Sequence, residues 1–339
     1  MDKRLMLAVA GAGKTTYLID KLNKEEKFII ITYTNNNYNS IRKAIINKFG
    51  YIPQSVKLYT YFSFIYNFCY KPFERKTDSK GLEFKQKLER RVNSKKLAYY
   101  MNIKTKKLYS GRIAKLCERV IDKITKRIEK YTQYLFIDEI QDFAGNDFNF
   151  IKKLTKCNVN VLYVGDFYQH TFDTSRDNNV NSNIFKNYNI YIEKICDDTL
   201  ILDDTTLIKS RRCSKDVCDF VRDNLKINIY SYDNRRSTIK EIKEMDEIER
   251  IMLDDNWIKL FLRQNYLYIG NTENWGESKG ITYENVCVVL NPGTYNLFKS
   301  KNLINMAPST KNRFYVACTR TRNDLYFISQ EKLEKFRKK

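Results

Sequence analysis

The sequence predicts an α/β protein with two domains, each laid on a parallel sheet, and a mostly helical insertion in the first. Three observations predict this. An apolar run, Leu5-Met6-Leu7-Ala8-Val9-Ala10, meets a glycine turn and then a helical stretch, Thr16–Leu22. Continuous runs of β-branched and aromatic residues recur along the chain, the mark of strands buried on both faces of a parallel sheet. Helical periodicity fills the stretches between them, the alternation a doubly wound sheet requires. The 339 residues, 42% of them hydrophobic, suffice for two packed interiors.

The first element is the most specific. Gly11-Ala12-Gly13-Lys14-Thr15-Thr16 lies between strand and helix, the context a phosphate-binding loop needs. Glycines let backbone N–H groups approach an anion, and the helix N-terminus adds partial positive charge. Lys14 would reach the β- and γ-phosphates, and the Thr15 hydroxyl would sit on Mg²⁺. Ala8 stands where the strict pattern has its first glycine. The bland alternative is an ordinary turn before a helix.

Residues 27–34 then read as a buried strand, 40–48 as helix and 56–60 as strand, followed by the aromatic Tyr61-Phe62-Ser63-Phe64. From 71 to 130 the composition turns basic, and Ile113, Leu116, Cys117, Val120, Ile121, Ile124 and Ile128 form one helical stripe. Its flanking cations are as readily a solvated face as a nucleic-acid track. A strand returns at 134–137 and runs into Asp138-Glu139-Ile140-Gln141-Asp142. Adjacent acids at the end of an apolar strand are costly without a cation. Beside a phosphate loop, Asp138 is the metal partner and Glu139 the base that activates water. A strand at 159–164 ends in Gly165-Asp166-Phe167-Tyr168-Gln169, where Gln169 could sense the γ-phosphate. His170 is as readily structural as functional.

A polar stretch at 203–206 separates a first domain, 1–204, from a second, 205–339. There 215–224 and 313–320 read as helix, and 266–270, 286–290 and 325–328 as strands, while 225–265 gives a weak signal. The basic tail from 330 is expected to be frayed.

Charge points to the partner. Lys and Arg number 61 against 40 Asp and Glu, a formal charge of +21, which favours a polyanion, nucleic acid first. A Lys-, Asn- and Ile-rich composition also arises from AT-rich genomes. The eight cysteines include no C-x-x-C and only one histidine accompanies them, so neither a zinc site nor disulfides are expected. Apolar runs are far shorter than a membrane span. An intracellular, cytoplasmic setting follows, the host cytoplasm if the source is viral.

The ordered stretches resemble the superfamily 1 helicases, specifically the UvrD/Rep-like branch. Gly11–Thr15 is similar to its phosphate loop, Ile31-Thr32-Tyr33-Thr34-Asn35 to "TFTN", and Thr60–Phe64 to "TFHSF". Asp138–Asp142 matches "DExQD", Gly165-Asp166 with Gln169 "GDxxQ", and Arg212 the arginine of "NYRS". Ser278-Lys279-Gly280 matches "SKG" and Val316–Arg320 "VALTR". The short gap from Arg212 to Ser278 makes this a minimal form without the large second-domain insertion. The resemblance implies two RecA-like domains with ATP and Mg²⁺ in the cleft between them and single-stranded nucleic acid across the top.

It also assigns roles. Ala10, Gly11, Ala12, Gly13, Lys14, Thr15, Thr16, Arg211 and Gly280 would contact ATP, with Arg211 where a tyrosine commonly stacks on adenine. Lys14, Glu139, Gln169, Arg212 and Arg320 would be catalytic, the two arginines reaching the γ-phosphate as fingers. Thr15 and Asp138 would hold magnesium. Tyr33, Asn35, Thr60, Phe62, Phe172 and Ser278 would meet the strand, though each aromatic is as readily core packing. The implied function is a nucleic-acid-dependent ATPase, a monomeric DNA helicase or translocase on single-stranded DNA, with RNA as the other polymer and a partner protein for unwinding. The rivals are an ATP-gated single-strand-binding switch and a small-molecule phosphotransferase.

Overall fold

The computed structural model describes residues 1–73, 78–84, 92–171 and 180–338. The described residues of Met1–Met6, Thr15–Gly165 and Asp173–Asp203 pack as one unit, those of Leu7–Lys14, Asp166–Phe172 and Asp204–Lys339 as another. The glycine-loop segment Leu7–Lys14 therefore packs with residues that follow it by some two hundred positions or more, a placement chain order conceals.

In the first unit, β1 (Lys3–Leu7), β2 (Phe28–Thr32) and β3 (Val56–Thr60) lie where the apolar runs placed them. All five residues of β2 are buried, as a central parallel strand demands. The following helix, Asn35–Phe49, starts five residues before the expected Ser40, because the Thr34 hydroxyl accepts the Asn37 N–H at 3.2 Å and fixes its N-terminus. The insertion holds the expected apolar stripe on helices Ile113–Cys117 and Ile121–Tyr131. It also holds a small sheet that the sequence did not signal: β4 (Leu82–Glu83), β5 (Met101–Asn102) and β6 (Lys107–Tyr109), ordered β4-β6-β5. These strands are too short and polar to show period-2 alternation.

With β7 (Tyr134–Asp138), β8 (Asn160–Gly165) and β9 (Ile201–Asp203), the main sheet has the order β3-β2-β7-β8-β1-β9. Its described registers are parallel. Two of them set the site. Asp138 pairs with Val164, so the acidic turn and Gly165 leave adjacent strand ends side by side. Thr32 pairs with Thr60, which brings Tyr33 beside Tyr61.

The second unit opens with a parallel pair, β10 (Lys209–Ser210) and β11 (Tyr230–Ser231). Its main sheet, β12 (Ile239–Glu241), β13 (Trp257–Phe261), β14 (Thr272–Asn274), β15 (Asn285–Leu290) and β16 (Leu325–Ser329), is parallel in the order β12-β16-β15-β13-β14. Helices Lys215–Leu225 and Pro308–Cys318 cover it, with Trp275, Phe314 and Phe327 central to the core. The strand expected at 266–270 is instead β13. Lys259 interrupts the apolar run of β13, yet it is fully buried because its ammonium donates to the Asp254 and Trp257 carbonyls at 3.1 and 3.0 Å. Residues 265–267 form a single 3₁₀ turn, and Tyr268 stacks on Phe261 at 4.4 Å. The tail also differs from expectation: Gln330–Phe336 is helical, and Leu333 and Phe336 are buried anchors within its basic sequence. No helix among the described residues is long and apolar enough to cross a membrane.

Candidate active site

Within the second unit, the glycine loop at Gly11–Gly13 is laced to the segment that follows Asp204. Val9 N donates to the Leu207 carbonyl at 3.0 Å, and Arg211 N donates to the Gly11 carbonyl at 2.9 Å. Gly11 and Gly13 have φ of +73° and +86°, which L side chains rarely adopt. A Cβ on Gly11 would lie 2.7 Å from both Arg212 Cβ and Ser210 Oγ. Gly11→Ala is therefore expected to cost about 1–2 kcal/mol from the left-handed backbone alone and to push Arg212 aside. Urea denaturation reads the first effect, and a weaker ATP titration the second.

A buried relay continues from the loop. Ala10 N donates to the Tyr315 hydroxyl at 2.8 Å, which donates to Asp166 Oδ2 at 3.0 Å. The same oxygen accepts the Gln169 amide at 2.8 Å, and Asp166 Oδ1 accepts Tyr168 N at 3.1 Å. So Gln169 and the loop share one hydrogen-bonded path. Sequence reasoning missed Tyr315, Asp166 and Ser210. The one available signal was position, since Tyr315 immediately precedes Val316–Arg320 and Asp166 lies within the "GDxxQ" match.

The two arginines belong to the same unit and act on one another electrostatically. Arg320 is 1% exposed, with Nε donating to the Val316 carbonyl at 3.0 Å. Burial, and then the Arg212 guanidinium, pull its pKa down to about 10. Arg212 is half-buried and donates to the Thr319 carbonyl at 3.0 Å. The Cys213 thiol is held below the usual thiol range, first by the Cys218 hydrogen bond and then, against burial, by the Arg212 guanidinium. Two neighbouring guanidiniums drawn out of water are costly unless an anion joins them. Lys14, 9% exposed, adds a third cation to the same unit. The exposed Arg211 guanidinium rests over the Tyr232 ring at 4.6 Å. Gly280 has φ +88° and an open surround. Ser278, expected against the strand, is fully buried, and its hydroxyl donates to the Trp275 carbonyl at 2.8 Å.

Within the first unit, β7 delivers Asp138, 3% exposed, to the carboxyl end of the sheet. Glu139 follows with φ 54° and ψ 49°, a left-handed conformation for a residue that has a Cβ. Such strain persists only where its surroundings impose it. Here the Gln141 amide donates to Glu139 Oε2, and Asp142 N donates to the Glu139 carbonyl at 2.9 Å. Gly165, at the end of β8, leaves room for Gln141 and Ile140, because a Cβ there would run into the Gln141 Oε1 atom and lie 2.6 Å from Ile140 Cγ2. A buried carboxylate at a strand end suits a hard divalent cation through oxygen. Thr15 is half-buried and Thr16 exposed in the first turn of the helix Lys14–Asp20.

The expected strand contacts Tyr33 and Phe62 lie together, with ring centroids 5.6 Å apart. Tyr33 also stacks on Tyr61 at 5.7 Å and meets Phe143 edge-on at 5.4 Å. Asn35 is exposed, whereas Thr60 caps the next turn by accepting Ser63 N. Phe172 lies outside the described residues. Beneath these rings, Tyr61 donates to the buried Asp147 carboxyl at 2.8 Å. Burial raises Asp147 from 3.8 to about 7. The folded state thus retains a proton that the unfolded chain releases. The linked stability is fully present below 3.8 and lost as pH rises through about 7. Asp147→Asn, isosteric and uncharged, is expected to melt several degrees above wild type in mildly alkaline buffer, and the gap to close as pH falls toward the unfolded value.

A profile described as the viral superfamily 1 RNA helicase core domain matches residues 88–329, well over half of the chain. Among solved structures, an arterivirus nonstructural protein 10 helicase in complex with DNA is similar, with TM-score 0.52 at 12% identity, over 98% of this chain and 63% of that one. The helicase of PRRSV gives TM-score 0.49 at 13% identity, over 99% of this chain and 54% of that one. The chain thus spans less than two thirds of the length of these helicases. A search of curated protein sequences returns no match.

Proposed function

The chain belongs to the viral superfamily 1 RNA helicase core family, and from that premise we propose that it is an ATPase driven by single-stranded nucleic acid, acting as a translocase or helicase. The observation that carries the reading is the convergence on the Gly11 backbone: Arg211 N hydrogen-bonds its carbonyl, and Arg212 packs against its α-carbon, with Arg320 buried nearby. Cations gathered at a positive-φ glycine loop suit a polyphosphate.

Residue roles follow from chemistry. The loop from Ala10 to Thr16 and Lys14 take the β- and γ-phosphates. Arg212 and Arg320 neutralise charge that grows on the transferring phosphoryl group. Asp138 and Thr15 would hold magnesium, which would supply positive charge to offset that of the phosphates. Glu139, pinned by Gln141, accepts the proton of the attacking water. Gln169 ties the state of the phosphates to the loop through Asp166 and Tyr315. Tyr33, Phe62 and Asn35 meet the polymer, the rings by stacking on bases.

The spelling of the motifs favours the UvrD/Rep-like branch and single-stranded DNA. The family's description favours RNA, and a groove that tracks backbone and stacks bases separates the two weakly. Strand displacement on tailed DNA and RNA duplexes tests the proposal: release that requires ATP hydrolysis supports it and names the polymer. Tight ATP-dependent binding with neither turnover nor displacement favours the second reading, an ATP-gated single-strand-binding switch.

A further inference from the structure

We propose that Phe84 is a base-stacking contact for the unpaired strand, contributed by the small sheet of the insertion. This rests on the strand-binding reading above. Phe84 follows β4 directly and is 61% exposed, an unusual position for a large aromatic ring. Its ring meets Phe62 edge-on, with centroids 4.9 Å apart and planes at 90°. Phe62 in turn meets Tyr33 at 5.6 Å. Phe84 is thus the outermost ring of a ladder whose inner members are expected strand contacts.

The ring is also held in place. Leu82 and Glu83 pair with Leu108 and Tyr109 of β6, and Ser110 N donates to the Glu83 carbonyl at 3.0 Å. A contact fixed before binding loses little entropy when a base docks. The Glu83 carboxylate is engaged by the Asn102 amide at 3.3 Å, which limits its repulsion of a phosphate backbone. Lys80, Lys104 and Lys107, all exposed, surround the same small sheet and suit that backbone. Exposed apolar surface flanked by cations and continuous with stacking rings fits a splayed nucleobase better than an apolar protein face.

Fluorescence anisotropy on the full chain tests this, using a labelled oligothymidylate, a labelled oligouridylate and an abasic oligomer. The expected result is that Phe84→Ala binds the base-bearing oligomers about tenfold more weakly and the abasic one as wild type does. Phe84→Trp restores affinity, and its fluorescence is quenched by the oligomer over a constant background, since Trp257 and Trp275 are buried away from the added strand. If Phe84→Ala binds as wild type, loses affinity equally for the abasic oligomer, or abolishes a concentration-dependent dimer instead, the stacking contact is overturned. A wild type that binds none of these oligomers overturns the strand-binding reading itself, and this inference with it.

Discussion

Arg212→Ala is expected to lower saturated ATP turnover by about a thousandfold while ATP still binds and single-strand affinity is retained. The size follows from what the guanidinium offers and when. Charge accumulates on the equatorial oxygens only as the phosphoryl group transfers, so a fixed fork of donors aimed there stabilises the transition state more than the ground state. Arg212 is fixed: its backbone is set by the contact with Gly11, and its guanidinium by the Thr319 carbonyl. Arg212→Lys keeps the charge but not the planar fork, and should recover only a small part of the rate. The Arg320 guanidinium, already held down to about 10 by burial and by Arg212, would gain an anion under the proposed role when nucleotide binds, so ATP should also raise the melting temperature. Single-turnover hydrolysis with parallel thermal melts separates loss of chemistry from loss of fold. Normal turnover by Arg212→Ala would remove the arginine from the mechanism.

Glu139→Gln is the second large effect, a fall of about a hundred- to ten-thousandfold in turnover with ATP affinity intact or tightened. The left-handed backbone at Glu139 and the Gln141 hydrogen bond place one carboxylate oxygen, and an amide there keeps shape while losing basicity. Rapid-quench hydrolysis together with an ATP-binding titration checks it. A variant that still hydrolyses ATP at the wild-type rate would move the base elsewhere.

The parallel strands were legible because β-branched runs such as Phe28–Thr32 and Asn285–Leu290 carry their burial in their composition. The acidic turn was legible because Asp138 and Glu139 end such a run. β13 was not, because Lys259 looks like a surface residue until its backbone partners are seen. The tail misled for the opposite reason, its lysines outnumbering the one aliphatic and one ring, Leu333 and Phe336, that dock it. The aromatic ladder divided in the same way: Tyr33 and Phe62 carry motif signals, while Phe84 belongs to strands too short to have a period. The relay through Tyr315 joins residues more than three hundred positions apart, and no local pattern encodes that.

The most direct test is steady-state ATP turnover by the wild-type chain at saturating ATP, with and without a single-stranded oligonucleotide. A rate that climbs severalfold and saturates as polymer is added is the predicted result. An ATPase rate indifferent to polymer, or no hydrolysis in its presence, would contradict a strand-driven motor.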